Sequence, residues 1–147
     1  MWQRIQTLYL AISTILIAVM AFGVKATTVG SEGDPVTEYR YFSYVPYAIL
    51  IVIILLLNIL ALTTYKFRVF QMRTAVLSSI ITLALQIWLV VDFFSNRDAG
   101  IIYRISAVFP IVSIILNLFA ARGILADEML VESAYRLRSS RKNRKRR

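Results

Sequence analysis

Four stretches of about twenty apolar residues, joined by short polar segments, leave this chain few ways to fold. They are residues 5–24, 45–65, 74–94 and 101–121. A helix needs about 20 mainly apolar residues to cross a hydrocarbon layer roughly 30 Å thick, because each residue rises about 1.5 Å. None of the four carries an internal run of charges. In lipid the backbone must satisfy its own polar groups, so each stretch is expected as a spanning helix. The composition agrees, with 59% apolar and 17% charged residues against about 45–50% and 25% in soluble domains. The first stretch, between Arg4 and Val24-Lys25-Ala26, also has a signal-peptide reading. It is longer than the 7–15 apolar residues of such peptides, which favours a retained helix.

Basic residues set the orientation, because Lys and Arg near short loops resist export. With both termini inside, Arg4, Lys66, Arg68, Arg73, Arg122 and the eight cations from Arg136 onward face the cytoplasm. Only Lys25, Arg40, Arg97 and Arg104 face outward. Short joints make successive helices antiparallel. The expected fold is an all-α membrane protein, a four-transmembrane-helix antiparallel bundle over residues 1–121. The basic segment Lys66-Phe67-Arg68-Val69-Phe70-Gln71-Met72-Arg73 reads as its inner hairpin turn. The aromatic run Tyr39-Arg40-Tyr41-Phe42-Ser43-Tyr44, continued by Tyr47, reads as a belt at the outer headgroups. Pro46 opens its span, whereas Pro110, about ten residues into the fourth, is expected to kink it.

The chain has no Cys and no His. It therefore supplies no thiolate nucleophile, imidazole base or ordinary Cys/His zinc site. Its hydroxyls lack an imidazole partner, its lysines lie in loops and tail, and its carboxylates do not cluster as metal sites do. No catalytic residue, cofactor or metal is expected, and an enzyme is the least favoured class.

Polar groups inside the spans are few, and each is costly to place in lipid. Asp92 closes the third span and Arg104 opens the fourth, so both lie near the outer interface. The return through Asn96-Arg97-Asp98-Ala99-Gly100 allows a structural ion pair between them; the alternative is Asp92 as a cation or proton acceptor. The amides Asn58, Gln86 and Asn117 stand one in each of the second, third and fourth spans. Counting about 1.5 Å per residue puts Asn58 and Asn117 roughly 10 and 6 Å from the inner boundary, within reach of one another, with Gln86 nearer the midplane. The second and fourth spans share a short likeness, Leu57-Asn58-Ile59-Leu60-Ala61 against Leu116-Asn117-Leu118-Phe119-Ala120, which hints at two repeated hairpins. Ser78 and Thr82 fit ordinary helix packing.

Beyond the fourth span, residues 122–138 read as a separate amphipathic cytoplasmic helix. Ile124, Met129 or Leu130, Ala134 and Leu137 recur on one face. Asp127, Glu128 and Glu132 precede Arg136 and Arg138, in the order that suits the helix dipole. Residues 139–147 are expected as a disordered basic tail, carrying Arg141, Lys142, Arg144, Lys145, Arg146 and Arg147. Such a tail attracts anionic lipid headgroups. Phosphates of ribosomal RNA are a second target, although no aromatic residue in the tail supports base recognition.

The opening Met1-Trp2-Gln3-Arg4-Ile5-Gln6-Thr7-Leu8-Tyr9-Leu10 resembles an uncharacterised four-span membrane family of Bacteroidetes. So does Ala121-Arg122-Gly123-Ile124-Leu125-Ala126-Asp127-Glu128, with Leu130-Val131, Ser133-Ala134 and Arg136-Leu137-Arg138 after it. The likeness covers nearly the whole chain, and the chain departs from it at Tyr135, where members commonly carry an acid. It implies a domain of unknown function in a bacterial inner membrane and brings no activity with it. The sequence thus points to a non-catalytic membrane protein, an accessory or assembly subunit offering its basic C-terminal segment to a membrane-protein partner or anionic lipid. The alternative is a small homodimeric transporter or channel lined by Asp92, Gln86 and Asn58.

Overall fold

The computed structural model describes residues 2–28, 37–96 and 101–144. Helix α1 covers Trp2–Phe22 and is followed by strand β1, Val24–Thr28. Strand β2, Glu38–Arg40, leads through a 3-10 turn at Tyr41–Ser43 into α2, Val45–Thr63. Helix α3 covers Arg68–Ser95; strand β3, Ile101–Tyr103, and a second 3-10 turn at Ile105–Val108 then precede α4, Phe109–Arg144. All four helices are long and apolar enough to cross a membrane.

Their surfaces invert the soluble pattern. Ile15, Leu56, Ile80 and Phe119 are each more than half exposed, while Ser13, Asn58, Ser78, Thr82, Ser113 and Asn117 are sealed inside. Such a continuous apolar exterior is a liability in water and a solvent match in lipid.

Two apolar layers enclose the polar one. Ile17, Met20 and Ala21 from the end of α1 meet Tyr47, Ile51 and Ile54 from the start of α2, Leu85 and Leu89 from the end of α3, and Tyr41. At the other end Leu10 packs with Ala61, Ala75, Ala120 and Ala121. Four alanines in that second layer let the backbones approach closely, as membrane helices do where dispersion and packing drive association.

Four expectations need correction. The fold is not purely helical: β1 pairs antiparallel with both β2 and β3 in a sheet of order β2-β1-β3. Val24, Thr27, Thr28, Ile101, Ile102 and Tyr103 are β-branched or aromatic, which suits them to strands at this end. Pro110 kinks nothing. Residues 101–108 are strand and 3-10 turn, so Pro110 falls in the first turn of α4, where its missing N–H breaks no helical bond. The segment 66–73 is only partly a turn, because Arg68–Arg73 already belong to α3. No Gly or Pro interrupts those residues, and the chain reverses within Thr64–Phe67, where Phe67 N–H donates to Thr64 O at 3.0 Å. The aromatic run is divided too: Tyr41 and Tyr47 are core residues, while Tyr39, Phe42 and Tyr44 stay exposed.

The backbone also passes through residue 121 without a break. The fourth span and the segment expected as a separate helix form one helix of 36 residues, continuing to Arg144. Gly123, the one weak helix former at the joint, lies within that helix beside Gln6 of α1.

Candidate functional site

Midway between the apolar layers, the polar side chains of all four helices meet. Asn58 of α2 is the hub. Its Oδ1 accepts from Ser78 Oγ of α3 at 2.6 Å and from Asn117 Nδ2 of α4 at 3.1 Å. Its Nδ2 donates to Ser13 Oγ of α1 at 3.4 Å, and Ser13 shares a 2.6 Å hydrogen bond with Ser113 of α4. Asn117 Nδ2 also lies 3.4 Å from Ser78 Oγ. Thr82 Oγ1 donates back to the Ser78 carbonyl at 2.7 Å. One acceptor, Asn117 Oδ1, is buried without a partner among the described residues. Every member is neutral. The cluster can therefore hold helices in one arrangement, each interhelical bond contributing about 0.6–2 kcal/mol, but it has no group that titrates near neutral pH.

A second cluster, built around a lysine and an aspartate, lies at the sheet end. Lys25 on β1 places Nζ 2.5 Å from Asp92 Oδ2. Tyr103 OH donates to the same oxygen at 2.9 Å, and Asn96 Nδ2 donates to Oδ1 at 3.1 Å. The ammonium also stands 4.9 Å from the Tyr47 ring centroid and 5.7 Å from that of Tyr103. A carboxylate in front and two ring faces beside it make this a structural cation site. Burial, then the hydrogen bond to Asp92, pushes the Tyr103 phenol up to about 12. Burial also raises the Tyr41 phenol, opposed by its 3.1 Å hydrogen bond to Ser106.

The partner of Asp92 is thus Lys25, and the expected pair with Arg104 does not form. Arg104 enters the sheet by its backbone, its N–H donating to Lys25 O at 3.0 Å. That register turns its side chain to a cavity of about 310 Å³ shared with Gln86, Leu89, Phe93, Tyr103 and Val108. Gln86 lies apart from Asn58 in that wall, and its Oε1 has no partner among the described residues. Asn58 and Asn117, by contrast, are in direct contact.

At the end opposite the sheet, the two sequence segments that carry the family likeness touch. Gln6 Nε2 donates to Asp127 Oδ2 at 3.0 Å. A Cβ on Gly123 would come within 3.0 Å of Gln6 Cγ and 3.1 Å of its Nε2, so the missing side chain makes room for that amide. Sequence reasoning marked Asp127 for its charge and missed Gln6, whose only signal was its place in the opening motif. Arg122 is exposed, Glu128 is half-buried, and Arg136 is exposed and paired with Glu132 at 2.8 Å. Arg138, Arg141, Lys142 and Arg144 belong to α4 by backbone, but their side chains lie outside the described residues, as do Lys145, Arg146 and Arg147 entirely.

Two grooves flank this end. One of about 720 Å³ is lined by Thr64, Phe67, Arg68, Val69, Phe70, Arg73, Glu128 and Val131. Another of about 470 Å³ runs beside Gln6, Thr7, Leu62, Tyr65, Arg68 and Gln71.

A sealed neutral polar layer inside an apolar exterior, on four helices of spanning length, defines a multi-pass membrane protein. The chain belongs to the family described as a domain of unknown function, DUF4293, which matches residues 2–137. Comparison with curated proteins gave no match.

Proposed function

We propose that this is a non-catalytic membrane protein, an accessory or assembly subunit whose α4 extends from the membrane as an arm for a partner. The single observation behind this reading is the length and fixing of that helix. Its 36 residues amount to about 54 Å, well beyond a hydrocarbon thickness of about 30 Å. The Gln6–Asp127 bond and the Gly123 contact clamp it where it leaves the layered core. Past the clamp, Met129, Leu130, Val131 and Tyr135 are uncovered. A rigid helix with uncovered apolar residues and a basic end suits docking more than chemistry.

The alternation of helix ends in the two apolar layers supports an antiparallel bundle. The excess of basic residues on the α4 side supports cytoplasmic termini, and with them a bacterial inner-membrane location. The transporter reading has less support, since Asp92 is neutralised by Lys25 and neither Asn58 nor Gln86 lies beside it.

Quantitative co-purification from native membranes tests the docking reading. A recurring partner protein should be recovered with the full-length chain and lost with Leu130→Ser/Tyr135→Ser. Loss at high salt alone would point to an anionic surface, lipid or RNA, through the tail. Unchanged recovery in the double variant sinks the docking arm, and flux assays in proteoliposomes then become the test of choice.

A further inference from the structure

The larger groove shares Val131 with the docking arm and adds features that the arm does not use. Its floor and sides are apolar, from Phe67, Val69, Phe70 and Val131. Arg73 of α3 and Glu128 of α4 face into the same space without pairing with each other, and among the described residues neither has an ion-pair partner. Arg68 adds a second guanidinium to the wall and has contacts of its own. The groove lies where α2 ends at Thr63 and α3 begins at Arg68. That is the level at which spanning helices pass from acyl chains to headgroups. Phe67 is 69% exposed there, so the groove is open to the side. Its volume falls within the roughly 300–1,000 Å³ of ordinary ligand sites.

We infer that this groove binds a phospholipid with a primary-amine headgroup, phosphate against Arg73, ammonium against Glu128, and acyl chain along Phe67, Phe70 and Val131. Charge complementarity makes the choice. A glycerol headgroup offers Glu128 no cation and sets a phosphate charge near it. A choline headgroup offers a cation with no N–H to donate to the carboxylate. An ethanolamine headgroup supplies both an anion and a hydrogen-bonding cation, which matches a guanidinium and a carboxylate held on neighbouring helices. This is separate from the tail's general attraction for anionic surfaces, and it stands whether or not α4 docks a partner.

The test is lipid retention on the delipidated full-length chain, followed by native mass spectrometry and thermal melting. Phosphatidylethanolamine, phosphatidylcholine and phosphatidylglycerol of matched acyl length are added at raised salt, which suppresses tail binding. Phosphatidylethanolamine should bind about fivefold to tenfold more tightly than the other two, the net effect of one ordinary hydrogen bond at a solvent-open site. Glu128→Gln should bring it down to the phosphatidylcholine level. Arg73→Gln should weaken both, since both carry the phosphate. Val131→Trp should displace the lipid by filling the groove with no change of charge. Equal retention of the three lipids overturns the proposal. So does a preference for phosphatidylglycerol or phosphatidylcholine, or an ethanolamine preference that survives both Glu128→Gln and Val131→Trp.

Discussion

At the sheet end a lysine ammonium sits on a carboxylate between two phenol rings, beneath three paired strands. At the opposite end one amide-to-carboxylate bond joins α1 to α4, and two grooves open beside it. At the first end Asp92 is satisfied from Lys25, Tyr103 and Asn96 together, and Arg104 borders only the smaller cavity. The second leaves Arg73 and Glu128 facing an open groove. The difference teaches where to look for function in a chain that has no Cys and no His: charge that is internally satisfied stabilises, and charge held beside open apolar surface is available to something else.

Removing charge from the closed end should have the largest effect. Asp92→Asn keeps the volume of the side chain but leaves the Lys25 ammonium without its counter-ion in a site where the side chain is only 14% exposed. Breaking buried pairs costs about 3–5 kcal/mol; partial exposure reduces the expected loss here to about 2–3 kcal/mol. Melting in detergent should therefore fall clearly below that of the wild type, whereas Glu128→Gln at the open end should melt with it. Equal losses in the two variants would erase the contrast between the ends.

The polar layer between the ends comes next. Asn58→Leu removes the acceptor shared by Ser78 and Asn117 and the donor to Ser13. Three buried groups lose a partner at once. The hydroxyls can turn to their own helix carbonyls, so the expected loss is about 1–2 kcal/mol. Denaturation of the reconstituted protein checks it, and an unaffected variant would mean that the layer contributes nothing to holding the helices.

A smaller signature of the closed end is its response to alkali. The Tyr103 phenol is raised from about 10 to about 12 in the folded chain, so the folded state keeps a proton that the unfolded state gives up. Stability from this group is fully present below about pH 10 and is lost as pH rises towards 12. Tyr103→Phe should flatten that part of the stability profile. An unchanged alkaline slope in Tyr103→Phe would show that the phenol's environment does not matter.

How far the sequence disclosed this arrangement follows from which interactions are periodic. Four long apolar runs gave the four helices, because helix length against membrane thickness is a local property. Rise per residue brought Asn58 and Asn117 to within reach of each other, since both count from the same boundary. The partner of Asp92 was not legible. Lys25 is 67 residues away, and only the pairing of β1 with β3, which no hydropathy pattern announces, carries it to the carboxylate. Gln6 was missed for the same reason, since its role depends on a contact with α4 at a separation of 121 residues. The groove needed three elements together, the turn at Thr64–Phe67, the first turns of α3 and the extension of α4, so the separate basic and apolar signals did not add up to a site.

The smallest effect expected is also the most specific to the open end. Ala replaces Gly in a helix interior with a gain of about 1 kcal/mol. At position 123 the new Cβ meets Gln6 at 3.0–3.1 Å, so the side chain that holds Asp127 must give by a few tenths of an ångström. Gly123→Ala alone should therefore change stability by only a few tenths of a kcal/mol, gain and loss offsetting one another. In a Gln6→Ala background the obstruction is gone, and the same substitution should stabilise by about 0.5–1 kcal/mol. The double-mutant cycle isolates the coupling between α1 and α4. A coupling near zero would mean that Gln6 does not clamp α4, and the contrast would then lie between one braced end and one loose end.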